Sequence, residues 1–432
     1  MQSTARLGLW QGAALLATTL LGTGVFILPQ LTLSLAGSAA AWAWLLLTLL
    51  AIPITFVFAA LARVLPHAAG PAHFVGEAFG TLAGRITGLM FVLVVPLGAS
   101  AALMMTYSFA APLLQQLGLD ANRWQLPLEL AFLVLLWLLN RRGLQLSARL
   151  QLGLTLAIVG TVVLMFAAFF LSAPADTASQ LSLGSTAPVA ADLAGFSAAL
   201  ALGFWSFLGV EAMTHLAQDF RDPRRHLIPA LLLGLLVVGC IYLGCSYLLL
   251  MLATSDPAHA NANLSMAAAF DLLFGGGGNW LIGLLGLASG LATVNVYTAS
   301  VARLSWSFAQ QGVLPAPLQQ LNSYQVPELA LRCILFLMAL VLGGSAWLNA
   351  GLEHLIGWVN GVFVLIYTGS MAAAIRLLDR RYHWISALSL VLCLTLAWVL
   401  GSAMSYALLI ILCCTPLLWW QQRWLLRQRC SP

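Results

Sequence analysis

Gly22-Thr23-Gly24 interrupts the first long apolar stretch of the chain, which runs from about Leu9 to Ala36 with little else to break it before Pro29. A run of that length crosses a bilayer with some tilt. Two glycines around a threonine are poor helix material, so the helix is expected to break there. A break at membrane depth leaves backbone N–H and C=O groups without partners, a large cost in hydrocarbon unless they line a protein or water-filled cavity. The half-helix beyond the break would then aim N–H groups and partial positive charge into that cavity, which suits a carboxylate. The other reading of the same residues is a packing notch, where small side chains let two helices touch.

Composition sets the class. The 432 residues are 61% hydrophobic and 7% charged, with mean hydropathy +0.96, whereas soluble domains average about 25% charged residues. This is the profile of a polytopic membrane protein, with no segment between spans long enough for a separate soluble domain, so one membrane domain over 1–432 is expected. All 18 basic residues are arginine. The absence of lysine excludes a lysine Schiff base, proton carrier or fixed cation. The net charge of +5 is no sign of nucleic acid, because the arginines sit in short loops and the tail. Cys240, Cys245, Cys333, Cys393, Cys413, Cys414 and Cys430 lack metal-ligand spacing and read as small packing residues, and no cofactor or metal is implied. The first apolar run is too long for a cleavable signal and is expected to remain as a span.

Twelve spans are expected, at about 9–36, 40–62, 86–110, 127–140, 150–172, 191–217, 228–253, 279–305, 328–348, 353–375, 384–400 and 403–421. With both termini cytoplasmic, 17 of the 18 arginines fall on the cytoplasmic side and only Arg123 outside, as the positive-inside rule requires. The sixth span repeats the anomaly of the first. Gly203-Phe204-Trp205-Ser206-Phe207-Leu208-Gly209-Val210-Glu211 places two glycines and a serine in mid-span, followed by an acid. Spans one and six would each open a five-span half, 9–172 and 191–375, with two further helices over 384–421. An odd number of spans makes the halves enter the membrane from opposite sides, so the pattern is that of an inverted repeat with its binding site at the paired breaks. Between spans two and three, Gly70 to Gly80 is too short to span and fits an interfacial helix, with His73 and Glu77 four apart on one face. This segment reads either as a gating element or as a simple surface elbow.

These motifs carry a resemblance. Gly22-Thr23-Gly24-Val25-Phe26 resembles the GSGIF-type motif in the first helix of the amino acid–polyamine–organocation (APC) transporters. Phe204 to Glu211 resembles that family's sixth-helix F-x-x-F-x-G-x-E pattern, and Gly70 to Gly80 its glycine-rich loop, with Pro71 at the second glycine and His73 at the tyrosine. The details of residues 18–26 and of Trp205 to Pro223 are similar to the bacterial branch that exports L-methionine and branched-chain amino acids. The resemblance implies an all-α, APC-like fold of twelve transmembrane helices, with a five-plus-five inverted repeat, broken helices one and six and alternating access. It implies a bacterial inner-membrane location and an amino acid substrate; the expectation of proton coupling rests on Glu211.

Under that resemblance the substrate site would comprise Gly22, Thr23, Gly24 and Val25, whose backbone groups take the carboxylate. Carbonyls of Phe204, Trp205 and Ser206 would take the ammonium, with Trp205 and Phe207 as apolar wall. The third span offers Val95, Pro96, Gly98, Met104 and Met105 for further wall. Glu211 is the one acid well inside an expected span, so a neutral apolar substrate side chain is expected: methionine, leucine, isoleucine or valine. Glu211 reads either as a proton carrier or as a structural acid paired with His215 one turn on. Asn295 and Asn360 are possible site-lining residues, or helix–helix hydrogen-bonding groups; Thr293 and Ser300 are a weak signal for sodium. The alternatives are an importer or exchanger of other amino acids or amines, a channel or sensor, and a membrane enzyme. The scattered histidines and the lack of paired carboxylates disfavour the enzyme.

Overall fold

A computed structural model describes residues 7–22, 24–67, 69–143, 148–172, 193–255 and 264–430, without the side chains of 148–149, 172, 215–216, 218–219, 254–255 and 422–430. Among these residues the regular structure is helical, apart from one isolated parallel bridge between Leu7 and Phe220. The first apolar stretch forms two helices, α1 (Leu9–Leu21) and α2 (Leu28–Ala36). There follow α3 (Ala40–Val64), α4 (Pro71–Phe79), α5 (Thr81–Gln116), α6 (Ala121–Asn140), α7 (Ala148–Ser172) and α8 (Leu193–Gly203). After two 3₁₀ segments come α9 (Pro223–Ser255), α10 (Met266–Phe274), α11 (Gly278–Gln310), α12 (Glu328–Leu348), α13 (Leu352–Leu377), α14 (His383–Leu400) and α15 (Ser405–Cys430).

Nine helical runs among the described residues are long and apolar enough to cross a membrane. Two of them, Leu28–Val64 and Arg380–Gln421, each join two helices, while Leu9–Leu21 is apolar but shorter. Burial separates inner from outer helices. The most apolar windows of Thr81–Gln116 and Leu352–Leu377 are 67% buried, those of Leu150–Leu171 and Arg380–Gln421 only 28%, although all four are strongly apolar. A helix that is apolar all round and still exposed requires a hydrocarbon solvent. Leu171, Trp347 and Trp398 project outward at more than four-fifths exposure. The chain is a multi-pass helical membrane protein.

α1 packs against α9, α2 against α8, α3 against α9, and α5 most extensively against α11. α13 lies between α5 and α14 and also contacts α4. The interrupted first stretch and α8 are thereby held at the centre. At one end the two are stitched together, where Arg221 N–H donates to the Leu7 carbonyl at 3.0 Å beside the Leu7–Phe220 bridge.

Two local features depart from the sequence expectation. The helix of the fourth expected span, α6, starts at Ala121 rather than near 127, because Asp120 caps it by accepting from Asn122 N–H at 3.0 Å. This places Glu129 two turns inside the helix, buried and held by Gln125 at 3.0 Å, so Glu211 is not alone as an acid within the apolar helices. Between the expected spans 228–253 and 279–305 part of the connection is helical: Ser265 caps α10 through Ala268 N–H, and Gly275 ends it at φ +82°. Residues 256–263, with Asp256, lie outside the described residues. Gly70 to Gly80 does form a helix, α4, with His73 and Glu77 3.9 Å apart. His67 stacks on His73 at 4.1 Å. Burial is the main cause holding His73 below the usual imidazole range; His67 adds to it and Glu77 opposes it.

Candidate functional site

The first break is a tight turn. α1 ends with Gly22 at φ +25°, a left-handed backbone conformation that favours glycine. The Gly22 carbonyl, no longer used by a helix, accepts from Ser289 Oγ of α11 at 3.0 Å. The amides of Gly24 and Val25 both turn back to the Leu21 carbonyl, at 3.2 and 3.3 Å. The Gly24 carbonyl accepts from Ile27 and Leu28 N–H, at 3.1 and 2.8 Å, which restarts the helix as α2. In this conformation the two amides expected to cradle a carboxylate are engaged, by long bonds that a charged acceptor competes with at modest cost. Thr23 lies outside the described residues. A Cβ at Gly24 would stand 2.7 Å from Leu28 Cδ1 and 2.8 Å from Tyr242 Oη, so this glycine is also a close-packing position.

The second break faces the first. α8 tightens into a 3₁₀ turn at Phe204–Phe207, Leu208 is extended, and Gly209 has φ +120° before a second 3₁₀ segment over Glu211–Asp219. A Cβ at Gly209 would meet Thr19 Cγ2 at 2.9 Å and Leu20 Cδ2 at 3.3 Å, so the two interruptions touch. The Trp205 carbonyl accepts from Leu208 N–H at 3.1 Å. Phe204, Ser206 and Phe207 are buried behind the turn, with Phe204 near Tyr367 and Phe207 near Trp44. The Ser206 hydroxyl lies close to that of Tyr242 without closing a hydrogen bond of ordinary geometry.

Between the breaks is a cavity of about 60 Å³, narrower than the roughly 300–1,000 Å³ of an open small-molecule site. Thr19, Leu20, Gly22 and Gly24 line it from the first stretch, and Trp205 and Leu208 from the second. α5 contributes Val94, Val95, Gly98 and Ala102, α11 contributes Thr293 and Tyr297, and α13 contributes Val359 and Phe363. Of the expected site residues, Gly22, Gly24 and Trp205 line this space, whereas Val25, Phe204, Ser206 and Phe207 pack around it. Asn295 and Asn360 do not line it. Asn295 Oδ1 accepts from Asn140 Nδ2 of α6 at 2.6 Å, and Asn360 Nδ2 donates to the Ala201 carbonyl of α8 at 2.6 Å. Both therefore act as interhelical hydrogen-bonding groups in this conformation. Tyr297, Val359 and Phe363 were missed. Each belongs to a pair four residues apart (Thr293 with Tyr297, Val359 with Phe363), a helical-face signal that selects no particular face until the neighbouring helices are known.

Glu211 is buried just past the second break. Its Oε2 accepts from Gly209 N–H at 2.9 Å and from the Tyr367 hydroxyl of α13. Tyr297 of the cavity wall lies within electrostatic reach of the same carboxyl. The partner expected from sequence, His215, has its side chain outside the described residues. A second, nearly apolar gap of about 10 Å³ lies by Phe204, Phe207, Val210 and Tyr367, closed by Leu47, Ile54 and Leu396. The carboxyl is thus tied to α13 by the tyrosine and to the broken helix by a backbone amide.

A family model described as amino acid permease matches residues 7–421. The chain is 38% identical over 413 residues, 94% of each chain, to the L-methionine/branched-chain amino acid exporter YjeH of Escherichia coli. It is 27% identical over 406 residues to the uncharacterized amino acid permease YecA of Bacillus subtilis, covering 92% of this chain and 91% of the relative. It is 24% identical over 387 residues to the human large neutral amino acids transporter small subunit 2, covering 86% and 69%.

Proposed function

The chain belongs to the amino acid permease family of the APC superfamily, and on that premise we propose that it exports L-methionine and the branched-chain amino acids leucine, isoleucine and valine. It is an amino acid transporter, not an enzyme. The observation that carries the substrate reading is the asymmetry of the cavity. Thr19, Thr293 and Tyr297 stand beside the two breaks at Gly22 and Gly209, while Gly98, Trp205 and Val359 stand together elsewhere, and Val94, Val95 and Phe363 add to the apolar lining. Among the described residues no charged side chain lines it. Such a space takes a zwitterion by backbone and hydroxyl groups and leaves an apolar side chain against apolar walls, whereas a cationic side chain there would lack a counter-ion. The exporter relative at 38% identity supports the same substrates.

The proposal includes twelve transmembrane helices in one domain, 9–172 and 191–375 forming inverted halves and 384–421 the additional pair. It places the protein in the bacterial inner membrane with both termini cytoplasmic. Gly22, Thr23, Gly24 and Val25 bind the carboxylate once the two bonds to Leu21 are exchanged, and the Phe204–Phe207 turn receives the ammonium. Glu211 couples transport to protons, its carboxyl cycling between the bonds to Tyr367 and Gly209 and a rearranged state during alternating access.

The test is counterflow in proteoliposomes preloaded with methionine, with external labelled methionine followed with and without an imposed pH gradient. Accumulation blocked by leucine but not by arginine or putrescine is expected. Block by arginine or putrescine alone would leave the family intact and overturn the substrate. Glu211→Gln is expected to keep exchange and lose the response to the pH gradient; an unaltered response would make Glu211 a structural acid.

A further inference from the structure

Most interior glycines of this protein explain themselves. A Cβ at Gly12, Gly24, Gly203 or Gly234 would fall within 3.0 Å of a neighbouring helix or side chain, and Gly22 and Gly209 sit at positive φ. Gly98 fits neither description. It lies inside α5, at ordinary helical φ, where glycine is unfavourable relative to alanine. A Cβ there would stand 3.6 and 3.7 Å from the Val359 methyls and 3.8 Å from Trp205 Cη2, all ordinary contact distances. A methyl would fit without moving anything. What the missing methyl provides is space, and that space belongs to the apolar half of the cavity, since Gly98, Trp205 and Val359 all line it.

We propose that Gly98 sets the length of substrate side chain that the transporter accepts, with Trp205 and Val359 as the facing wall. The inference rests on the reading of the cavity as the site for a neutral amino acid. With the α-amino and α-carboxyl groups at the end marked by Thr19, Thr293 and Tyr297, the substrate side chain points into the apolar half. Its far end then reaches the space beside Gly98. Unbranched methionine and γ-branched leucine use that space; valine and alanine do not. A methyl on residue 98 removes one group's worth of depth, and one methylene more or less in an apolar pocket is worth roughly 10- to 200-fold in discrimination.

The experiment measures competition by alanine, valine, leucine, methionine and phenylalanine against labelled leucine counterflow, in wild type, Gly98→Ala and Val359→Ala. Each protein is first shown to be monodisperse with an unfolding midpoint near wild type. Gly98→Ala is expected to weaken methionine and leucine relative to valine and alanine by about tenfold or more. Val359→Ala deepens the same wall and is expected to shift the order the other way, admitting phenylalanine. If Gly98→Ala does not fold, Val359→Ala decides alone. An unchanged competitor order in the folded variants overturns the role of Gly98 while leaving the carrier intact. A folded wild-type protein that shows no counterflow with any of the five overturns the carrier reading and the proposal with it.

Discussion

Tyr367→Phe isolates one hydrogen bond. The ring packs 4.8 Å from Phe58, 6.0 Å from Phe204 and 6.3 Å from Phe363, edge-on in each case, and phenylalanine keeps all three contacts. Only the hydroxyl that donates to Glu211 Oε2 is lost, leaving Gly209 N–H as the donor shown for that oxygen. Interhelical hydrogen bonds within membranes average about 0.6 kcal/mol and reach about 1.7, while bonds to charged groups are worth about 1.5–3 kcal/mol. A buried, ionisable acceptor with so few donors belongs near the top of the membrane range, so the expected coupling is about 1.5 kcal/mol, roughly a tenfold change in the folding equilibrium. The assay is a double-mutant cycle of Tyr367→Phe and Glu211→Leu, which removes the acceptor at similar volume, read by reversible unfolding in bicelles. Coupling below about 0.5 kcal/mol would refute the argument that this bond ties α13 to the broken helix.

Gly24→Ala is expected to cost about 1–3 kcal/mol by overpacking and to abolish transport, because Tyr242 is stacked on Trp44 at 4.5 Å and cannot yield; wild-type flux and unfolding midpoint would show that the turn accommodates a methyl. Asn140→Ala breaks the 2.6 Å bond to Asn295 and should lower stability by about 1 kcal/mol without changing the order of competing substrates, as the pair lies outside the cavity; a changed order in counterflow would bring Asn295 back into the site. His73 should make the protein less stable in acid. The unfolded chain takes up this proton near about pH 6.5 and the folded chain only at lower pH, so stability is lost as pH falls from the unfolded value through the folded one. His73→Gln should reduce the drop in midpoint between about pH 7.5 and about pH 5.5, and an equal drop in the variant would show that His73 does not carry it.

Much of the architecture was legible in one dimension because bilayer thickness imposes a length on every apolar run and glycine imposes a break on a helix. Gly22, Gly24, Gly203 and Gly209 mark the two interruptions without any knowledge of neighbours, and α4 could be anticipated from a segment too short to span. Capping depends on single polar side chains, so Asp120 and Ser265 moved one helix start and created another helix that hydropathy did not register. The cavity wall was harder to read. In a chain that is apolar on every helical face, Val359 and Phe363 look no different from lipid-facing residues, and methionines 104 and 105 look no different from Val95 and Gly98. Composition and breaker positions therefore determined that this is a helical membrane protein with two central interruptions and a largely apolar interior. Tertiary packing alone decided that Glu211 meets Tyr367, that Asn295 is occupied by Asn140, and that Gly98 opens toward Trp205 and Val359. Those pairings join residues more than a hundred positions apart, and hydrophobic periodicity carries no information about which face of one helix meets which face of another.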